Sequence, residues 1–111
     1  MDITFRPGEN LLRSTPANMQ RGLEAVGGKL YLTDSRILFN SHKFNFQNGL
    51  TEIALEAVES VHPSWTRIFG VVPVFPNSFV VRAAGAEYSF VTSSRGQWIK
   101  AIGAQTSALR A

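Results

Sequence analysis

Gly28-Lys29-Leu30-Tyr31-Leu32-Thr33-Asp34-Ser35-Arg36-Ile37-Leu38-Phe39 is the stretch whose reading decides the fold. Leu30 and Leu32 alternate with Lys29, Tyr31 and Thr33, the period of a half-buried strand. From Arg36 to Asn40 the alternation resumes, with Ile37 and Phe39 sharing a face. Asp34 and Ser35 lie between the runs, and such residues bond their own backbone in turns. Two β-rich runs with a short polar connector read as an antiparallel hairpin.

Upstream, Glu9 to Met19 reads as a short strand that Pro16 either bends or confines to a sheet edge. Leu23 to Val26 reads as its continuation after a break at Gly22, with Gly27-Gly28 as a turn. Downstream, Ser41 to Leu50 reads mostly as loop, with Phe44 and Phe46 inside it. Thr51 to Ala54 is a short strand, Leu55 to Ala57 a helical turn, and Val58 to His62 a strand that Pro63 argues against placing centrally. Ser64 to Asn77 is apolar but broken by Gly70, Pro73 and Pro76, so it reads as irregular. Ser78 to Ala83 and Glu87 to Val91 then pair across a turn at Gly85-Ala86.

The period changes at the C-terminus. Ser94 followed by Gln97 has the spacing of a capping box, and Trp98, Ile102 and Leu109 fall on one helical face with Ile99 beside them. A helix of this length is not stable alone in water, so its stripe must dock on the strands, with Trp98 as the anchor. About seven short strands and one closing helix give an α+β fold, a bent antiparallel β-sandwich or barrel closed by a C-terminal helix.

Composition agrees. The chain has 111 residues, 44% of them hydrophobic, enough for one domain spanning 1–111 with its own core. It has no cysteine, which removes disulfides, thiolate metal sites and a cysteine nucleophile and fits a reducing, cytoplasmic setting. Apolar runs are broken well short of a membrane span, and no charged start precedes an apolar run, so neither a spanning helix nor a signal peptide is expected. The formal net charge of +3 permits weak attraction to anionic surfaces.

The segments resemble those of a known family. Gly28 to Phe39 looks like the G-x-L-Y-L-T-x-x-R-L-x-F hairpin of GRAM domains, which share the pleckstrin-homology-like (PH-like) superfold. Ile53 to Val58 resembles the family's I-x-L-x-x-I segment. Pro76 to Val81 is similar to its P-N-hydrophobic strand start, and Tyr88-Ser89-Phe90 with Trp98-Ile99 to its Y-x-F and W-I close. The resemblance spans roughly Leu23 to Ile102. It implies a PH-like frame and a binding module, a class in which basic residues on strand-connecting loops hold phosphoinositide headgroups. The chain departs from the pattern over Ser41 to Leu50 and at Ala84 to Glu87.

Catalysis finds little support in the residues. His42 and His62 are the only histidines and make no metal-binding spacing. Glu52, Glu56 and Glu59 read as a solvated acidic edge, and no phosphate-cradling glycine loop is present. Catalytic residues, metal and cofactor are therefore all expected to be none. Arg95, Lys100 and Arg110 read as a solvated helix face that complements the helix dipole, and Arg36 as structural. Strand aromatics fall on the apolar face, which argues against nucleic-acid stacking.

The candidate ligand-binding residues are Lys43, Trp65 and Arg67. Trp65 beside Arg67 is the pairing of a membrane interface, an amphipathic ring next to a basic head. The bland alternative is that Ile68, Phe69 and Val72 simply close one end of the core. Lys43 and Arg67 are candidates to line one open end of the sheet. The expected partner is an anionic lipid surface, met peripherally. The alternative is a protein partner or a second copy of the chain, reached through a sheet edge or the apolar 65–75 segment.

Overall fold

The computed structural model describes residues 3–21, 24–41, 49–68 and 72–110; at 21, 24, 65–68 and 72–76 the description is of the backbone. Seven strands and one helix make up the fold. They are β1 Leu11–Arg21, β2 Glu24–Thr33, β3 Arg36–Ser41, β4 Leu50–Ala54, β5 Val58–Ile68, β6 Val72–Ala83, β7 Ala86–Val91 and α1 Arg95–Arg110. A 3-10 turn at Leu55–Ala57 joins β4 to β5, where the sequence places a helical turn. All pairings are antiparallel, in the order β4-β3-β2-β1-β7-β6-β5.

The expected hairpin forms in register, with Leu30 opposite Phe39 and Leu32 opposite Ile37, all four buried. The sheet bends until its two halves share one core, so that Phe39 of β3 lies 5.9 Å from Phe90 of β7. Phe79 follows at 5.6 Å from Phe90, and Trp98 stacks on Phe79 at 6.3 Å. The sheet does not close into a barrel: β4 and β5 are its two ends. Instead α1 packs on β5, β6 and the 3-10 turn, and through Trp98 it reaches β1, where the indole Nε1 donates to Thr15 Oγ1 at 3.0 Å.

Several local expectations need correction, each for a physical reason. Gly27-Gly28 is not a turn but lies inside β2, and Glu24 to Val26 belongs to that strand rather than to the one before it. A Cβ on Gly28 would press on the Asn40 carbonyl and stand 2.7 Å from Phe39 Cζ, so glycine there marks a close backbone approach. β1 is long and interior, and Pro16 is tolerated because β7 pairs only with Asn18–Gln20, leaving one strand neighbour at Pro16. Pro63 sits within β5, which runs on to Ile68; as an end strand it has an unpaired side that suits a residue without N–H. The 64–77 stretch is not irregular throughout, since Ser64–Ile68 pairs with Val72–Ser78, its register shifting around Thr66. The last hairpin turns at Ala84-Gly85, one residue early, and both have positive φ, 50° and 80°.

The helix also departs in detail. Ser94 O accepts from the Trp98 amide, but Ser94 Oγ is buried without a hydrogen-bond partner, while Gln97 Oε1 accepts from Arg13; the capping box does not form. The buried stripe is Trp98, Ile102 and Thr106, and Leu109 is 52% exposed in the last turn.

Two substitutions test these backbone readings by urea unfolding. Gly28→Ala should destabilise by about 1–3 kcal/mol through overpacking. Ala84→Asn should stabilise by about 0.5–1 kcal/mol, because asparagine tolerates the left-handed turn that alanine resists.

Candidate functional site

Arg36 opens β3 after the turn and is 5% exposed. Its guanidinium grips Glu9 with two parallel bonds, Nε to Oε2 at 2.7 Å and Nη2 to Oε1 at 2.9 Å. Nη1 reaches Glu52 at 3.1 Å, and Nη2 also donates to the Thr4 carbonyl at 3.1 Å. Glu9 Oε2 accepts further from Thr33 Oγ1 at 2.7 Å and Ser35 Oγ at 2.9 Å. Such a bidentate, multiply bonded pair is the form in which a buried charge is tolerated. The bond from Arg36, opposed by desolvation and reinforced by Thr33, the Arg6 amide and Ser35, holds the Glu9 carboxyl far below the usual range. Arg36 is raised in turn, chiefly by Glu9.

Glu9 is delivered by a turn. In Arg6-Pro7-Gly8-Glu9 the Glu9 amide donates to the Arg6 carbonyl at 3.0 Å, and Gly8 has φ +78°. Proline second and a left-handed glycine third make this a type II turn. It folds residues 3–6 back, so that the Phe5 and Tyr31 rings meet edge to face at 6.3 Å and Arg6 pairs with Glu52 at 2.7 Å. Asn10 adds a side-chain bond to Asp34 at 2.8 Å. Glu52 is thus an ion-pair partner of two arginines rather than part of a solvated acidic edge.

The helix cations also serve the frame. Arg95 donates to the Ser64 and Ser78 carbonyls at 2.6 and 3.2 Å, and Arg110 donates to the Val58 carbonyl. They fasten both ends of α1 to the strands and are not simply a solvated face. Arg13 lies 5.5 Å from the Trp98 ring centre, and Lys29 lies 5.6 Å from that of Tyr31. Among the described residues no group of three or more His, Asp or Glu could hold a metal ion, and no helix is long and apolar enough to cross a membrane. His62 is exposed, and His42 lies outside the described residues.

Of the sequence candidates, Lys43 lies outside the described residues, and so do the side chains of Trp65 and Arg67. The backbone still locates their settings. Ser41 and Gly49, which flank the Lys43 segment, stand at the end of the sheet where β1 passes to β2 and β6 turns into β7. Trp65 and Arg67 are on the β5–β6 ribbon, which leaves by the opposite end. β6 pairs with β7 only from Ser78 onward, so this ribbon continues beyond its neighbour. The register therefore sets Ser41 and Leu50 at one end and the ribbon that carries the Arg67 backbone at the other.

Sequence reasoning missed one feature. Where β1 and β7 part, an open groove of about 380 Å³ is lined by residues that include Pro16, Asn18, Gly27, Asn77, Thr92 and Ser93, none of them charged. Its walls are far apart in the chain and depend on a three-residue pairing, which leaves no local signal.

A seven-stranded open sheet in this order, plugged by one C-terminal helix, defines a PH-like protein. The GRAM domain family matches residues 1–100, and the chain belongs to that family. No curated protein matches the sequence. Among solved structures, the C-terminal domain of an unknown protein from Leishmania infantum is similar at 20% identity, TM-score 0.74, over 90% of this chain and 86% of that one. The Vps36 N-terminal PH domain is similar at 16% identity, TM-score 0.69, over 96% and 85%. The Slm1 PH domain in complex with phosphoserine is similar at 16% identity, TM-score 0.63, over 87% and 96%. At these identities the likeness carries the fold. GRAM and PH-like folds generally serve as modules that bind lipid or protein and are typically non-catalytic.

The Arg36–Glu9 pair gives a direct test. Glu9→Gln leaves the buried Arg36 guanidinium with only the partly exposed Glu52 to balance its charge and should cost about 3–5 kcal/mol in urea unfolding. Glu9 is a depressed carboxylate, so its contribution is complete above the ordinary value of 4.5 and declines as pH falls below it. The native chain should lose stability below that pH more steeply than Glu9→Gln does.

Proposed function

We propose that this chain is a single GRAM-type domain, residues 1–111, that acts without catalysis as a cytoplasmic binding module and associates peripherally with anionic membrane lipid. The observation that carries this reading is the β5–β6 ribbon running on beyond β7 with Trp65 and Arg67 on its first strand. Between Glu59 and Glu87 the sequence has no carboxylate, so the part of the ribbon that outruns β7 carries nothing that repels an anionic surface. Frame arginines such as Arg36, Arg95 and Arg110 are engaged internally, which leaves recognition to the connecting segments and to Lys43, Trp65 and Arg67. Each basic residue near an anionic leaflet contributes about 1 kcal/mol, so binding is weak, reversible and screened by salt. An amphipathic tryptophan at the headgroup level adds to it.

Contact with a protein or a second copy is the other reading, and it draws on the open sheet with its two end strands. The two separate in a vesicle co-sedimentation experiment run beside light scattering. On the lipid reading the chain pellets with anionic but not neutral vesicles. Arg67→Ala and Lys43→Ala each weaken binding about fivefold, Trp65→Ala weakens it further, and high salt releases the chain. Absence of pelleting at every ionic strength, together with a mass that rises with protein concentration, would overturn the lipid reading in favour of self-assembly.

A further inference from the structure

Leu38 is fully buried, yet it faces away from the main core. Its neighbours in the strand, Ile37 and Phe39, both belong to that core, and strand side chains alternate between faces. Leu38 stands in a cross-strand row with Tyr31 of β2 and Glu52 of β4. The folded-back segment 3–6 crosses this row: Phe5 touches Tyr31 on one flank and Arg6 pairs with Glu52 on the other. Thr4 supplies a carbonyl to Arg36 beneath. The outer face of β2–β4 thus already holds a short polypeptide by an aromatic contact, an apolar seat and a carboxylate.

We infer that this outer strip is a peptide-docking surface, occupied in the resting chain by its own residues 3–6, and that it accepts a segment of a partner polypeptide presenting an aromatic residue followed by arginine. Charge complementarity sets the requirement. Glu52 is 39% exposed in its side chain and already bonded to Arg36, so an arriving arginine meets a preplaced acceptor and an arriving carboxylate is rejected. The Arg6–Glu52 pair and the Phe5–Tyr31 contact are both partly exposed and individually weak, whereas Glu9 is anchored deeply on Arg36. Lifting the tip also gives up the Thr4 carbonyl on Arg36, which the backbone of an arriving segment must replace, while the root at Glu9 stays fixed. A tethered occupant competes at the high effective concentration of an intramolecular ligand, so the native chain masks the strip from a free peptide.

This inference is independent of the lipid reading and is tested without vesicles. The probe is a synthetic peptide of residues 3–9, titrated into isotopically labelled full chain and followed by amide chemical shifts at Tyr31, Leu38 and Glu52. The expected result is saturable shifts at all three in the Phe5→Ala/Arg6→Ala chain, with an apparent affinity about tenfold higher than in the native chain. A peptide carrying Glu in place of its arginine should give none. Equal response in native and substituted chains, response to the Glu peptide, or no saturable shift in a substituted chain that still melts cooperatively would overturn it. Should the double substitution fail to fold, Arg6→Ala alone removes the ionic contact and is held to the same outcomes.

Discussion

The bidentate contact between Arg36 and Glu9 ties the N-terminal segment to the start of β3. It draws the N-terminal segment onto the β2–β3 turn, and through Glu52 it includes β4. A guanidinium buried this deeply is tolerated only with its charge matched and its donors occupied. Thr33, Ser35 and the Arg6 amide complete the shell around the carboxylate. The turn at Pro7-Gly8 exists in the geometry needed to bring that carboxylate to it.

This contact divides the labour of the two sheet faces. The inner face buries Phe39, Phe79, Phe90 and Trp98 in one aromatic core and needs α1 to cover it, since the open sheet does not enclose it alone. The outer face is dressed locally, by the folded-back segment over Tyr31, Leu38 and Glu52. Arg95 and Arg110 close the arrangement by fastening the helix to β5 and β6 carbonyls. Positive charge that could meet an anionic partner is thus drawn inward at several positions. On the proposed reading, recognition then falls to the segments between strands and to the ribbon that outruns β7.

The sequence by itself determined the hairpin, the order of elements and the anchoring tryptophan, because these rest on alternation, a polar connector and a helical stripe within a few residues. It located the helical turn at Leu55–Ala57 for the same local reasons, and Arg36 read as structural from its place after the turn and from the family resemblance. Tertiary structure decided the rest. Whether Gly28 is a turn or a close approach depends on where β3 passes, and whether Pro16 is tolerated depends on where β7 ends its pairing with β1. Glu9 finds Arg36 across 27 positions, and Leu38 is buried on the face opposite the main core, in the cross-strand row that Phe5 and Arg6 flank. Local pattern records which side chains share a face. It does not record which distant backbone will lie against that face, and that approach set the ion pair and the neutral groove.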